Sequence, residues 1–264
     1  MRKLMYETSQ TLVYKVQESQ SKKVAVVIGN GDIIDFRPMK MQEPLYEGCD
    51  VYTFYFRKEN EGLKPAGEQL AIWLKTVENM YGKIFLVMKS KCGNMAITSV
   101  ANNLTNYSKY KIFVVNAPIE GTEAATPSLL RKRIYKDKSK WKKLIYKMED
   151  FILIKIVYGN YPVDWDIQIG STYMKENLDE ELLENFDITV IASSLNGKQC
   201  KTVLDLILKW FDKRVKLYGD GIVSLNSQLG FKEPKKIFSA NHISILKDSK
   251  KMIQKEIEKE KGRL

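Results

Sequence analysis

Ile84-Phe85-Leu86-Val87-Met88-Lys89-Ser90-Lys91-Cys92-Gly93-Asn94-Met95-Ala96 reads as a buried strand, a sharp turn and the start of a helix, with Ser90 at the tip. Five apolar residues in a row suit a strand covered on both faces, and strands of that kind belong to parallel sheets, whose crossovers are helices. The turn therefore sets the expectation for the rest of the chain, an α/β fold.

Further apolar, β-branched runs recur at 24–28, 51–56, 112–115, 188–191 and 235–238, with helix-period segments between several of them. The segment 65–81 brings Leu70, Ile72, Trp73, Val77 and Met80 toward one helical face, and 94–104 continues from the turn as a second helix. This rhythm predicts a mainly parallel sheet with helices on both faces, ligands gathering at the carboxyl ends of the strands. Residues 1–264 are expected to form a single domain, with a helical cap insertion at about 125–185. Within it, 131–147 carries nine Lys or Arg against the one acid Asp137, interleaved with Ile134, Trp141, Leu144 and Ile145. Such a stretch is a candidate contact for an anionic membrane surface. The segment 244–261 reads as a charged amphipathic surface helix.

Ser90 occupies the setting that nucleophilic catalysis needs. A serine hydroxyl is weak until a neighbouring base takes its proton, and a tight strand-to-helix turn holds it clear of the backbone. Bases are scarce here. The chain has 264 residues and a single histidine, His242, the one side chain whose ordinary pKa lies near neutrality. Asp220 lies 22 residues before it, in Gly219-Asp220-Gly221-Ile222-Val223. Asp212 and Asp248 are the nearby alternatives. The nucleophile–acid–histidine order is the order of hydrolases built on a strand-to-helix elbow. A rival register makes Cys92 the nucleophile, its thiol activated by the helix N-terminus and Lys91.

The segment 88–94 resembles the Gly-His-Ser-(Met/Lys)-Gly-Gly-Asn nucleophile elbow of the α/β-hydrolase fold, with Met88 and Cys92 where glycines usually stand. Gly219-Asp220-Gly221-Ile222-Val223-Ser224 resembles the Gly-Asp-Gly-x-Val-Pro motif of lipases and lecithin:cholesterol acyltransferase-like enzymes, Ser224 replacing the proline. Asn241-His242-Ile243-Ser244-Ile245-Leu246 is similar to the closing histidine segment of that family. Val115-Asn116-Ala117-Pro118-Ile119-Glu120-Gly121-Thr122 resembles the Ala-Pro-x-x-Gly-Thr loop of lipases. Ile28-Gly29-Asn30-Gly31 resembles the His-Gly-x-Gly oxyanion strand end, Ile28 in place of the histidine. The resemblance implies a serine hydrolase of carboxylic esters, esterase-like or lipase-like, with Ser90, Asp220 and His242 as its triad. The backbone amides of Asn30 and Lys91 would bind the oxyanion. It leaves open an acyltransferase using the same triad, and a member of the fold that has lost activity and serves as a binding protein.

Other classes are disfavoured. The net charge is +11, but the lysines are scattered and no nucleic-acid-binding motif accompanies them, so nucleic acid is not expected as a partner. Gly29-Asn30-Gly31 lacks the third glycine of a dinucleotide loop, and Pro38 and Pro44 interrupt the helix that should follow. One histidine and three cysteines without Cys-x-x-Cys spacing provide neither a histidine-rich metal site nor a zinc ribbon nor a disulfide framework. No metal or organic cofactor is expected. No apolar stretch reaches the length of a membrane span and the N-terminus has no signal-peptide core, so a cytoplasmic location is expected.

Overall fold

The computed structural model describes residues 2–20, 23–34, 44–57, 59–122, 125, 165–196, 205–206, 208–209, 212–213, 218–230 and 235–264. Eight strands lie in one sheet among them: β1 (Lys3–Glu7), β2 (Thr11–Gln17), β3 (Val24–Ile34), β4 (Asp50–Phe56), β5 (Lys83–Lys89), β6 (Tyr110–Val115), β7 (Asp187–Ser194) and β8 (Lys235–Ser239). Their spatial order is β1-β2-β4-β3-β5-β6-β7-β8. From β4 to β8 every neighbouring pair is parallel, whereas β1 with β2 and β2 with β4 are antiparallel.

The central parallel strands carry continuous apolar runs because successive side chains face two different cores. On β3, Ala25 and Val27 join one cluster while Val24, Val26 and Ile28 join the other. On β5, Ile84, Leu86 and Met88 face the first, and Phe85 and Val87 the second. In the second cluster the Phe85 and Phe113 rings stack with centroids 6.2 Å apart and planes 11° from parallel. Each such buried side chain contributes roughly 1.5–3 kcal/mol.

Helices close both faces. The first face carries α1 (Leu63–Val77), followed by a short 3-10 turn at Glu78–Met80, and α2 (Lys91–Met95). The buried side of α1 is Leu63, Ala66, Leu70, Trp73, Leu74 and Val77. Ile72 and Met80, expected on that side, are 48% and 50% exposed. Helical phase explains the first, since Ile72 lies two residues from Leu70 and Leu74 and so points away from them. The break into the 3-10 turn turns Met80 off the stripe. The helix expected over 94–104 begins earlier and is irregular: α2 passes into a π-helical turn at Ala96–Val100 and a 3-10 turn at Ala101–Asn103.

Two short helices, α3 (Tyr173–Asn177) and α4 (Glu180–Leu183), precede β7. The Tyr173 hydroxyl lies 2.6 Å from Thr98 Oγ1 and 3.2 Å from Ser99 Oγ, docking α3 onto the π-turn. Residues 126–164, with the basic stretch 131–147, lie outside the described residues. After β7 come α5 (Leu225–Gln228) and α6 (Ile245–Lys261). More than a surface element, α6 buries Ile245, Leu246, Ile253 and Ile257 in the second cluster, leaving its charges outward.

The antiparallel flank is joined to the parallel sheet by a buried polar knot. Asp50 Oδ2 accepts hydrogen bonds from the Tyr81 hydroxyl at 2.6 Å and from Lys15 Nζ at 2.9 Å, and Oδ1 accepts from the Ser19 amide at 2.6 Å. Burial alone would push this carboxyl up, but the donors from Tyr81, Ser19 and Lys15 together hold it below the ordinary range. No helix among the described residues is long and apolar enough to cross a membrane.

Candidate active site

Ser90 sits at the carboxyl end of β5 with φ 56° and ψ −132°, a left-handed backbone that costs an ordinary residue roughly 1–3 kcal/mol. The turn is clamped: the Ser90 amide donates to the Val115 carbonyl at 2.8 Å, and the Gly93 amide donates to the Ser90 carbonyl at 2.8 Å. Gly93 has no alternative here. A methyl group on it would lie 2.6 Å from Ala117 Cβ and 3.1 Å from the Met88 carbonyl.

Met88 and Cys92 stand where small residues are expected, and both are fully buried. Gly29, on the neighbouring strand, makes room for them. A Cβ on Gly29 would fall 2.6 Å from Met88 Sδ and 2.9 Å from Cys92 Cβ. The space that a glycine on the elbow would free is freed by a glycine across the ladder. Cys92 thus lies in the first apolar cluster, and it is Ser90 that reaches the histidine.

His242 follows β8 in a buried turn, its amide bonded to the Asp220 carbonyl at 3.0 Å. Its Nδ1 lies 2.7 Å from Asp220 Oδ2 and its Nε2 lies 3.2 Å from Ser90 Oγ. In the tautomer with the ring proton on Nδ1, the imidazole donates to Asp220 and its Nε2 lone pair can accept from the Ser90 hydroxyl. The structure therefore brings Ser90, His242 and Asp220 into one hydrogen-bonded line.

Asp220 is held on every side. Its Oδ1 accepts from the amides of Ile222 and Val223 at 2.9 and 2.8 Å, and its Oδ2 accepts from Asn116 Nδ2 at 2.7 Å as well as from His242. Asp212 instead accepts from the Gly219 amide at 2.9 Å, shaping the turn that carries Asp220. Burial, with the nearby Asp220 charge adding to it against the backbone donors, pushes the Asp212 carboxyl up. Asp248 accepts from the Ser244 hydroxyl on the surface.

Asn116 is the residue that sequence reasoning missed. It directly follows β6 with φ 46°, a conformation asparagine tolerates better than most residues, and it is fully buried. Its Nδ2 also lies 2.6 Å from Ser193 Oγ. It was visible only as one letter of the lipase-like loop, with nothing in the sequence to pair it with a residue 104 positions away. Gln228 completes this layer, accepting from the Ser193 amide at 2.7 Å and donating to the carbonyls of Ser193 and Val223.

The two expected oxyanion residues are placed differently from one another. Lys91 opens α2 directly after the serine. Asn30 does not follow its strand: β3 extends to Ile34, so Asn30 lies within it, paired in register with Lys89. Pairing with β5 carries the strand past its apolar run to Asn30, and after a break in register Ile34 pairs with Phe56 of β4. Immediately after Asn30 the strand closes on the elbow, and a Cβ on Gly31 would lie 2.7 Å from the Lys91 amide nitrogen. No group of three or more potential metal-binding side chains occurs among the described residues.

The fold has solved counterparts. The mature form of a Bacillus licheniformis lipase superposes with a TM-score of 0.60 at 14% identity, over 92% of this chain and 94% of that one. The chain has the α/β-hydrolase fold. A candidate lipase from Acinetobacter baumannii matches the same hydrolase fold with a TM-score of 0.50 at 12% identity, over 97% of this chain and 88% of that one. No family model matches the sequence, and no curated protein matches it.

Proposed function

We propose that the chain is a serine hydrolase of carboxylic esters that works through an acyl-enzyme on Ser90. The observation that carries this reading is the line Ser90 Oγ, His242 Nε2, His242 Nδ1, Asp220 Oδ2, with steps of 3.2 and 2.7 Å, formed at a strained elbow. The lipase named among the structural counterparts adds a precedent on the same fold.

In this mechanism the Ser90 oxygen attacks the ester carbonyl carbon while His242 Nε2 takes the hydroxyl proton. The carbonyl oxygen becomes an oxyanion, bound by the amides of Asn30 and Lys91. Collapse breaks the bond to the alkoxy group, which leaves as an alcohol carrying the proton from Nε2. Water then attacks the acyl-serine, His242 again taking and returning one proton, and the carboxylic acid departs. Asp220 holds the Nδ1 tautomer and stabilises the imidazolium in both halves.

The test is covalent labelling with a fluorophosphonate, followed by mass spectrometry of the adduct and hydrolysis of a short p-nitrophenyl ester. Labelling at Ser90 and its loss in Ser90→Ala, together with loss of hydrolysis, are expected. An adduct on another residue, or wild-type turnover in Ser90→Ala, overturns the proposal. Iodoacetamide inactivation that disappears only in Cys92→Ala would transfer the role to the thiol.

A further inference from the structure

We propose that Lys89 is a positioning residue for the oxyanion-binding end of β3, acting through the side chain of Asn30. This inference rests on the serine-hydrolase reading above.

A lysine next to the nucleophile is 1% exposed, although an ammonium is among the costliest groups to remove from water. Its Nζ donates to Asn30 Oδ1 at 3.3 Å. The register explains why these two side chains meet: Asn30 on β3 lies opposite Lys89 on β5, the last pair of the parallel ladder, and directly opposed side chains share a face. One residue earlier the pair is Gly29 with Met88, turned to the other face and packed against Cys92. The ladder therefore ends with an apolar contact on one face and a charged hydrogen bond on the other.

Asn30 is also the residue whose backbone amide is assigned to the oxyanion. An oxyanion donor works only when it is held before charge develops, because the free energy of turning it would otherwise be added to the barrier. The ladder with β5 ends at Asn30, and β3 meets β4 again only at Ile34, so the side-chain contacts of Asn30 help to orient that peptide. Lys89 supplies one of these contacts, and its positive charge lies on the residue that faces the developing negative charge. The same strand thus presents the nucleophile and orders its electrostatic partner.

A double-mutant cycle tests this, with Lys89→Met removing the ammonium and Asn30→Ala removing the acceptor while keeping the backbone amide. Each single variant should lose on the order of tenfold in kcat for a p-nitrophenyl ester with KM changed little, less than the ~10²–10³ seen when an oxyanion donor is deleted outright. The double variant should lose no more than the worse single one, because both act through one contact. Lys89→Arg should recover part of the rate. Additive losses, a change confined to KM, or wild-type kcat in Lys89→Met overturn the inference. Fluorophosphonate labelling of the wild type at Ser90 keeps the parent reading standing in each of those cases, and its absence sinks the parent reading instead. Should Lys89→Met fail to fold, Lys89→Gln takes its place in the cycle, and the same criteria decide.

Discussion

Asn116 Nδ2 and His242 Nδ1 converge on a single oxygen of Asp220, at 2.7 Å each. A donor held by a buried asparagine fixes the direction in which the carboxylate faces. Asn116→Ala should therefore lower kcat by roughly tenfold, the scale of one hydrogen bond to a charged group, with KM nearly unchanged. Steady-state kinetics on a p-nitrophenyl ester check it. Undiminished kcat would reduce Asn116 to a packing role.

Asp220→Asn should cost more. The amide cannot hold the imidazole in the Nδ1–H tautomer, and in a serine protease the equivalent change lowers turnover by about 10⁴. A loss of at least ~10² in kcat is expected here, with the circular dichroism spectrum and urea midpoint close to wild type. Retention of turnover would move the acid's role to another residue.

Gly29→Ala should destabilise the fold. The added methyl group would need to displace Met88 Sδ, 2.6 Å away, and Cys92 Cβ, 2.9 Å away. Overpacking of this kind costs about 1–3 kcal/mol. Urea unfolding should report that loss, and Gly29→Ala combined with Met88→Ala should recover part of it. An unchanged midpoint in the single variant would show that the elbow has slack.

Asp50 should contribute an acid-sensitive part of the stability. Its folded pKa is depressed, so the contribution is fully present above the unfolded value of about 3.9 and is lost as pH falls through the lower folded value. Asp50→Asn should then be clearly less stable than wild type at pH 7, and the gap should narrow as the pH approaches 3. Urea midpoints across that range decide it, a pH-independent gap being the contrary result.

The basic stretch 131–147 leads to a separate proposal, that the protein binds anionic lipid surfaces. Such attraction must weaken with salt, since the Debye length falls from ~30 Å at 0.01 M to ~10 Å at 0.1 M. Sedimentation with phosphatidylserine-containing vesicles should fall over that range, and Lys142, Lys143 and Lys147 changed to Gln should flatten the dependence. Absent or salt-independent binding removes the proposal.

The parallel centre of the sheet was legible because strands covered on both faces leave continuous apolar runs, as at Val24 to Ile28. The flank was not. β1, Lys3–Glu7, is an edge strand whose side chains are mostly exposed, and β2 alternates Tyr14, Lys15, Val16 and Gln17, so neither leaves such a run. Ser90, Asp220 and His242 stood out through their local patterns, the elbow, the Asp-Gly turn and the sole imidazole. Asn116 and Lys89 did not, because each works through a contact that exists only once distant strands pair. The length of β3 is illegible for the same reason: Asn30 and Gly31 are poor strand formers in isolation, and it is pairing with β5 at Asn30 and with β4 at Ile34 that extends the strand.

The sheet order carries one more consequence, for the history of the molecule. Ser90 and His242 are 152 residues apart, and the imidazole sits just after β8, the last strand to be added at its edge. Contacts of such sequence separation form late, because the closure entropy of the intervening chain must be overcome first. On the serine-hydrolase proposal, a nascent chain that ends before His242 would have the serine without its base and would be inactive. If that proposal holds, turnover would begin only once β8 and the turn after it are in place, so the recovery of ester hydrolysis during refolding would time the docking of β8.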